Sequence, residues 1–265
     1  MMFNNHFDYC QLRNFLSEWY EDIKIASHFL LRIPLPFSGA NWSKGLSTAI
    51  RAFPVVGAFI GAIGAIIMLL LTNTSLSPLN CGFLVIGAQI LITGALHEDG
   101  LADFTDGLGG GKNREERLRI MRDSFVGTFG ILILICSVGL RATALASLIE
   151  EEFVAALLAA GIFSRALIPI VMSILNPAHN NGLGASAQKP EISATVTACA
   201  IGIISIFFFL NFNQAITACI LCLVLLTILM FVAKSRLGGY TGDVLGASQQ
   251  VTETAILISV AGWQT

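Results

Sequence analysis

The chain has 265 residues, 55% of them hydrophobic and 12% charged, with a mean hydropathy of +0.76. A soluble domain averages about 25% charged residues, so the composition excludes an ordinary soluble enzyme and specifies a polytopic membrane protein. The formal net charge of -2, with basic residues confined to short stretches, excludes a nucleic-acid partner and leaves the lipid bilayer as the expected one.

From Tyr9 to Leu31, Leu12, Phe15, Leu16, Trp19, Tyr20, Ile23 and Leu30 recur at helical spacing between charged residues. This predicts an N-terminal amphipathic helix lying on or against the membrane, ended by Ile33-Pro34-Leu35-Pro36. No signal peptide is visible in the first thirty residues, so the first span is expected to act as the insertion signal. Apolar runs long enough to span follow at 54–71, 81–96, 129–149, 153–175, 192–210 and 215–233. A shorter run at 255–263 reads as a seventh, incomplete or re-entrant helix. The expected fold class is therefore all-α: one helical membrane domain over residues 1–265 with about six to seven transmembrane helices. Gly57, Gly61 and Gly64 give the first span a face for close helix packing. Six scattered cysteines lack disulfide or zinc spacing, and Cys219-x-x-Cys222 lies inside an apolar helix without a redox environment.

Every Lys and Arg outside the spans falls in segments 1–51, 97–124, 176–191 and 234–254, and none in 72–80, 150–152 or 211–214. The basic side is expected to be the cytoplasm. Two cations lie within spans, Arg141 and Arg165. Burying each at mid-membrane costs on the order of 3 kcal/mol, so both should face the bundle interior and find anionic partners. For Arg165, substrate phosphate and a structural ion pair stay equally open; for Arg141 the structural pair is favoured.

Chemistry concentrates in 97–112. On a helix, Asp99, Asp103 and Asp106 stand at i, i+4, i+7 and share one face. Clustered carboxylates repel, and a hard dication such as Mg2+, open to substrate phosphate, is the expected reason to gather them. His97 would point away from that face and is assigned orientation or proton transfer rather than covalent catalysis. Gly109-Gly110-Gly111-Lys112 could adopt positive φ and offer N–H groups to an anion, with Arg114, Arg117, Arg119 and Arg122 as phosphate partners. The segment from Arg114 to Phe125 reads as a short helix at the membrane surface, its Leu118, Met121 and Phe125 facing apolar material. The loop Asn176 to Gly184 is either a ligand approach or a chain reversal. A second glycine-rich, acid-bearing segment, 237–247, puts Asp243, and with it Glu253, on the same membrane side as the first acids, which predicts a shared site.

The motifs His97-x-Asp99-Gly100-Leu101-Ala102-Asp103-x-x-Asp106-Gly107 and Leu237-Gly238-Gly239-x-Thr241-Gly242-Asp243-x-Leu245-Gly246-Ala247 together resemble the cobalamin synthase (adenosylcobinamide-GDP ribazoletransferase) family. So do Phe29-Leu30-x-Arg32-Ile33-Pro34-Leu35-Pro36, Phe53-Pro54-x-x-Gly57, Ile120-Met121-Arg122-Asp123-Ser124-x-x-Gly127, Ser164-Arg165 and Gly182-Leu183-Gly184, in the family's order. The resemblance implies attack of α-ribazole, or its 5′-phosphate, on adenosylcobinamide-GDP with release of GMP, Mg2+ as cofactor, and a bacterial inner-membrane enzyme whose site faces the cytoplasm. A homo-oligomer is compatible with it. Glu98 and Gln250 depart from the family pattern, which has an apolar residue and often an acid there. The candidate catalytic residues are then His97, Asp99, Asp103 and Asp106. Asp99, Asp103, Asp106 and Asp243 are the candidate metal ligands. The substrate contacts expected are Lys112, Arg117, Arg122, Asp123, Arg165, Gly238, Gly239, Thr241 and Asp243.

Two other protein classes fit these residues less well. A CDP-alcohol-type membrane phosphotransferase shares Asp103-x-x-Asp106-Gly107 but needs an Ala-Arg and later paired aspartates that are missing here. A cation-coupled transporter would place its acids near the bilayer midplane in broken helices, often within inverted repeats, whereas these acids gather at one face.

Overall fold

The computed structural model describes residues 5–33, 45–179 and 189–263. The Pro34 to Pro36 helix stop and the Gly182 to Gly184 turn lie outside these residues. The described chain is all-α: among the described residues, extended pairing is limited to one isolated bridge between Pro177 and Tyr240. Helices α1 (Asn5–Leu30) and the single turn α2 (Leu46–Ala49) lead into α3 (Phe53–Thr72) and α4 (Pro78–Thr93). Then follow α5 (Leu96–Gly110), α6 (Arg114–Ile120), α7 (Thr128–Ser147), α8 (Glu150–Ala166), α9 (Ile168–Ile174), α10 (Ile192–Phe209), α11 (Phe212–Leu237) and α12 (Gly242–Ala261). Among the described residues five segments are long and apolar enough to cross a membrane, or six if the bent pair α4 and α5 is one span.

That bend is the first departure from the sequence reading, which ran the helix straight from the span into the acids. Gly94 (φ 63°) and Ala95 (φ 57°) both adopt the left-handed conformation, so α5 leaves α4 at 92°. Gly94 has a second reason to be glycine: a Cβ there would lie 2.2 Å from Cγ of Arg32. Ala95 holds this backbone at a cost of about 1 kcal/mol, and α5 is thereby turned out of the spanning direction.

The glycine face of α3 packs as expected. A Cβ on Gly57 would lie 2.1 Å from the Gly161 carbonyl oxygen, and one on Gly161 2.4 Å from that of Gly57, so α3 and α8 meet backbone to backbone.

The last helix differs most from its expected form. Rather than an incomplete helix at 255–263, α12 is one unbroken helix, and at 1.5 Å per residue its 20 residues measure about 30 Å, a bilayer core's thickness. It runs antiparallel to α11, since the Trp263 indole N–H just beyond its end donates to Thr217 Oγ1 near the start of α11 (2.9 Å). Ser248, Gln249, Gln250, Thr252 and Glu253 are all buried inside the bundle, where Gln249, Gln250 and Glu253 find partners on neighbouring helices and the Ser248 and Thr252 hydroxyls donate to carbonyls of α12 itself. Polar residues that face protein rather than lipid lower the apparent hydropathy of a central helix.

Glu253 is therefore not beside Asp243; it lies ten residues further along α12, buried in the bundle. There it bridges Arg141 (Nη1 to Oε1, 3.2 Å) and Arg165 (Nη1 to Oε2, 3.2 Å), while Arg141 Nη2 also reaches Glu98 Oε1 (3.1 Å). Gln249 joins Glu253 to Ser164, and Gln250 joins Gln249 to Ser137. Two arginines and two glutamates thus compose a neutral buried ladder, and both departures from the family pattern, Glu98 and Gln250, fall within it. Arg165 is in a structural ion pair.

Candidate active site

The site is built where α5 crosses the start of α12. Gly100 and Gly246 make the crossing possible: a Cβ on Gly100 would lie 3.0 Å from Cα of Asp243, and one on Gly246 3.2 Å from the His97 carbonyl oxygen. Asp99 precedes Gly100 directly and Asp103 follows it by one helical turn, so both acids of α5 are carried to Asp243. Thr241 caps α12 by accepting from Val244 N–H (3.3 Å), and its hydroxyl donates to Asp243 Oδ2 (3.2 Å), fixing that carboxylate. Beside the crossing opens a cavity of about 590 Å³, whose wall includes His97, Asp99, Arg122, Thr241 and Asp243.

Asp103 carries the electrostatic signature of the place. Partial burial, then the like charges of Asp99, Asp243 and Asp106, push its carboxyl up to about 7. His97 is pushed well below the ordinary histidine range by burial and by the Arg165 and Arg141 charges, and its Nδ1 is buried without a hydrogen-bond partner. His97 is buried toward Arg165 and Arg141 while Asp99 is exposed, in keeping with their different faces of α5, and both residues line the cavity.

Asp106 is a correction. Both of its oxygens are engaged by the start of α7, Oδ2 by the Gly127 N–H (2.7 Å) and Oδ1 by the Gly130 N–H (2.8 Å). A carboxylate accepting two amides at a helix N-terminus is a cap, and Asp106 is buried away from the cavity wall. Asp106→Asn should lower stability by about 1–2 kcal/mol, seen as a lower midpoint in thermal unfolding, while turnover falls far less than in the Asp103 variant discussed below.

Other expected contacts also lie elsewhere. Among the described residues the only left-handed glycines are Gly45, Gly94 and Gly238, so the 109–111 run is no anion nest. Those glycines admit neighbours: a Cβ on Gly109 would strike the Phe129 ring and one on Gly111 the Arg117 backbone. The amphipathic helix stops at Ile120; Leu118 and Met121 pack into the protein core, while Phe125 is 82% exposed. Lys112 and Asp123 are exposed and, like Arg117, stand away from the cavity wall. Gly238 (φ 81°) ends α11, and Gly239 sits where a Cβ would be 2.0 Å from the Asn176 carbonyl oxygen. That closeness lets Tyr240 N–H donate to Asn176 O (2.9 Å) and Ala178 N–H to Tyr240 O (2.8 Å). Arg114 locks the same junction by donating to the carbonyls of Leu237 and Ala178.

Two residues of the cavity wall, Arg32 and His179, carry no expected role in the sequence, and Arg114, expected as a phosphate partner, braces the wall instead. Arg32 was visible only as part of the Phe29 to Pro36 segment, whose distance from the acids in sequence gave no reason to join them.

The donor set suits a hard dication in part. Asp99 and Asp243 present oxygens to the cavity, and the raised Asp103 marks a local surplus of negative charge. Among the described residues no three His, Cys, Asp or Glu side chains are close enough to hold a metal alone. Mg2+ commonly takes one or two carboxylates and completes its shell with water and substrate phosphate, which fits such an open set.

Fold and site define a helical integral membrane protein that carries an acid-lined cavity where a helix turned out of its span meets the central helix. Residues 22–261 match the family model described as cobalamin-5-phosphate synthase, and the chain belongs to that family. Relatives named adenosylcobinamide-GDP ribazoletransferase include one from Bradyrhizobium diazoefficiens, 40% identical over 244 residues (92% of this chain and 94% of that protein). Another, from Sinorhizobium medicae, is 41% identical over 258 residues, covering 93% and 98%. A third, from Rhizobium meliloti, is 40% identical with the same coverage. No solved structure matches the chain.

Proposed function

We propose that the chain is an adenosylcobinamide-GDP ribazoletransferase, which joins adenosylcobinamide-GDP to α-ribazole, or to its 5′-phosphate, with release of GMP in the late nucleotide-loop assembly of cobalamin. Membership of the family and near-full-length identity to relatives of that name support this. The observation from the structure that carries it is the meeting of Asp99, Asp103 and Asp243 beside a cavity of about 590 Å³.

Asp99 and Asp243, with Asp103 beside them, would hold Mg2+, which when bound neutralises the charge of the transferring phosphoryl group. Arg122 and Arg32, on the same wall, are placed to bind phosphate oxygens. His97 is held neutral by burial and by the two arginines near it, and from the cavity wall it orients the attacking hydroxyl. Among the described residues no nucleophile paired with a base lines the cavity, and the reaction is a single in-line displacement without a phospho-enzyme. The bundle lies in the bacterial inner membrane with this site on the cytoplasmic side, as the one-sided distribution of Lys and Arg supports.

Purified protein in detergent, given adenosylcobinamide-GDP, α-ribazole and Mg2+, should release GMP and form the cobalamin in equal amounts, and should stop when Mg2+ is chelated. No GMP under these conditions would contradict the reading.

A further inference from the structure

We propose that the cavity is the site of the benzimidazole riboside alone: its aromatic base lies against the apolar wall, its ribose hydroxyl reaches the acids, and the corrinoid nucleotide stays outside with only its diphosphate entering. This rests on the activity proposed above and assigns which of its two substrates the cavity holds.

Size carries the first part. Pockets of ~300–1,000 Å³ enclose ligands of drug size, and at about 590 Å³ this cavity belongs to that class. A dimethylbenzimidazole riboside, with about twenty non-hydrogen atoms, is such a ligand; a corrin ring bearing adenosyl and GDP groups is several times too large to be enclosed.

The distribution of chemistry carries the second. Among the described residues every acid on the wall comes from α5 and α12, whereas α1, α2, α3 and α9 supply only apolar groups. Phe29 and Phe53 stack with ring centroids 5.8 Å apart and planes 16° from parallel, and Leu46, Ile168 and Met172 extend that surface. Flat aromatic and thioether surfaces suit a planar base. A ligand with an aromatic end and a hydroxylated end therefore has one favourable orientation, hydroxyl toward Asp99 and Asp243.

Filling the apolar side tests this in the full-length protein. Leu46→Trp, at a half-buried position, and Met172→Trp, at a buried one, should each raise KM for α-ribazole at least ten-fold and leave KM for adenosylcobinamide-GDP within two-fold. In parallel, equilibrium dialysis of the unmodified protein with α-ribazole alone should show saturable binding, weakened about ten-fold when the base lacks its two methyl groups. A variant that raises the KM of the corrinoid nucleotide as much as that of the riboside would overturn the assignment, as would loss of methyl discrimination. If the Met172 variant does not fold, Leu46→Trp and the dialysis decide alone. Normal GMP release by the unmodified protein alongside these negative results would leave the activity standing and remove only the assignment; absence of GMP release would remove the activity itself.

Discussion

Asp103→Asn should lower turnover about 100-fold or more, the usual consequence of removing a principal electrostatic stabiliser from a phosphoryl-transfer site. Asparagine keeps the shape and removes the charge, so the loss reports electrostatics rather than packing. Asp103 is half-buried and its carboxyl is raised by burial and by three neighbouring acids, so the folded protein keeps the group against its own electrostatic preference. Carboxyls perturbed in this way cluster at functional sites. The same substitution should weaken the dependence of rate on Mg2+ while leaving the thermal midpoint unchanged or slightly raised, because one of several repelling charges has gone. An Asp103→Asn protein with unchanged turnover and unchanged Mg2+ dependence would show that Asp103 serves neither metal nor substrate.

Glu253→Ala should have the largest effect on stability. It leaves the guanidiniums of Arg141 and Arg165 buried without the carboxylate that bridges them, at 3.2 Å to each. Breaking a buried ion pair from one side costs about 3–5 kcal/mol, because the remaining charge stays desolvated. Apparent thermal unfolding in detergent should fall on the order of 10 °C, and Glu253→Gln, which keeps a hydrogen-bond acceptor, should fall less. Activity should fall with it, since Arg141 and Arg165 lie beside His97. An Ala variant as stable as the unmodified protein would mean that Glu98 alone neutralises both arginines.

Much of this architecture was legible in the residues because bilayer thickness ties apolar length to helix length. The spans 54–71, 129–149 and 192–210 anticipate α3, α7 and α10 to within one or two residues. The glycine face at Gly57 was legible because small residues at helical spacing have few other uses in a bundle. Hydropathy failed on α12, where Gln249 and Glu253 are satisfied by other helices and Thr252 by its own backbone, so a buried central helix reads like a broken one. The 92° bend was hidden because its signal is one glycine and one alanine in left-handed conformation, and alanine carries no mark of that.

The site was legible in its acids and illegible in their individual tasks. Asp99, Asp103 and Asp106 share a helical face, yet seven residues along α5 are enough for Asp106 to reach the α7 amides while Asp99 reaches the cavity. Spacing fixes a face, not the partner each residue finds there. The sequence leaves Arg165 open between substrate and ion pair because its partner, Glu253, lies 88 positions away. Arg32 was missed for a similar reason: its proximity to α5 depends on the turn at Gly94.

That Asp103 and Asp243 act as one unit is the central claim, and a double-mutant cycle on kcat/KM tests it most directly. Groups that act together lose their function with the first removal, so the second removal costs little more. Asp103→Asn and Asp243→Asn should each cost about 100-fold, and the double variant should remain within about ten-fold of either single one. A double variant reduced by the product of the two single losses, roughly 10,000-fold, would contradict the account and place the two carboxylates in separate roles.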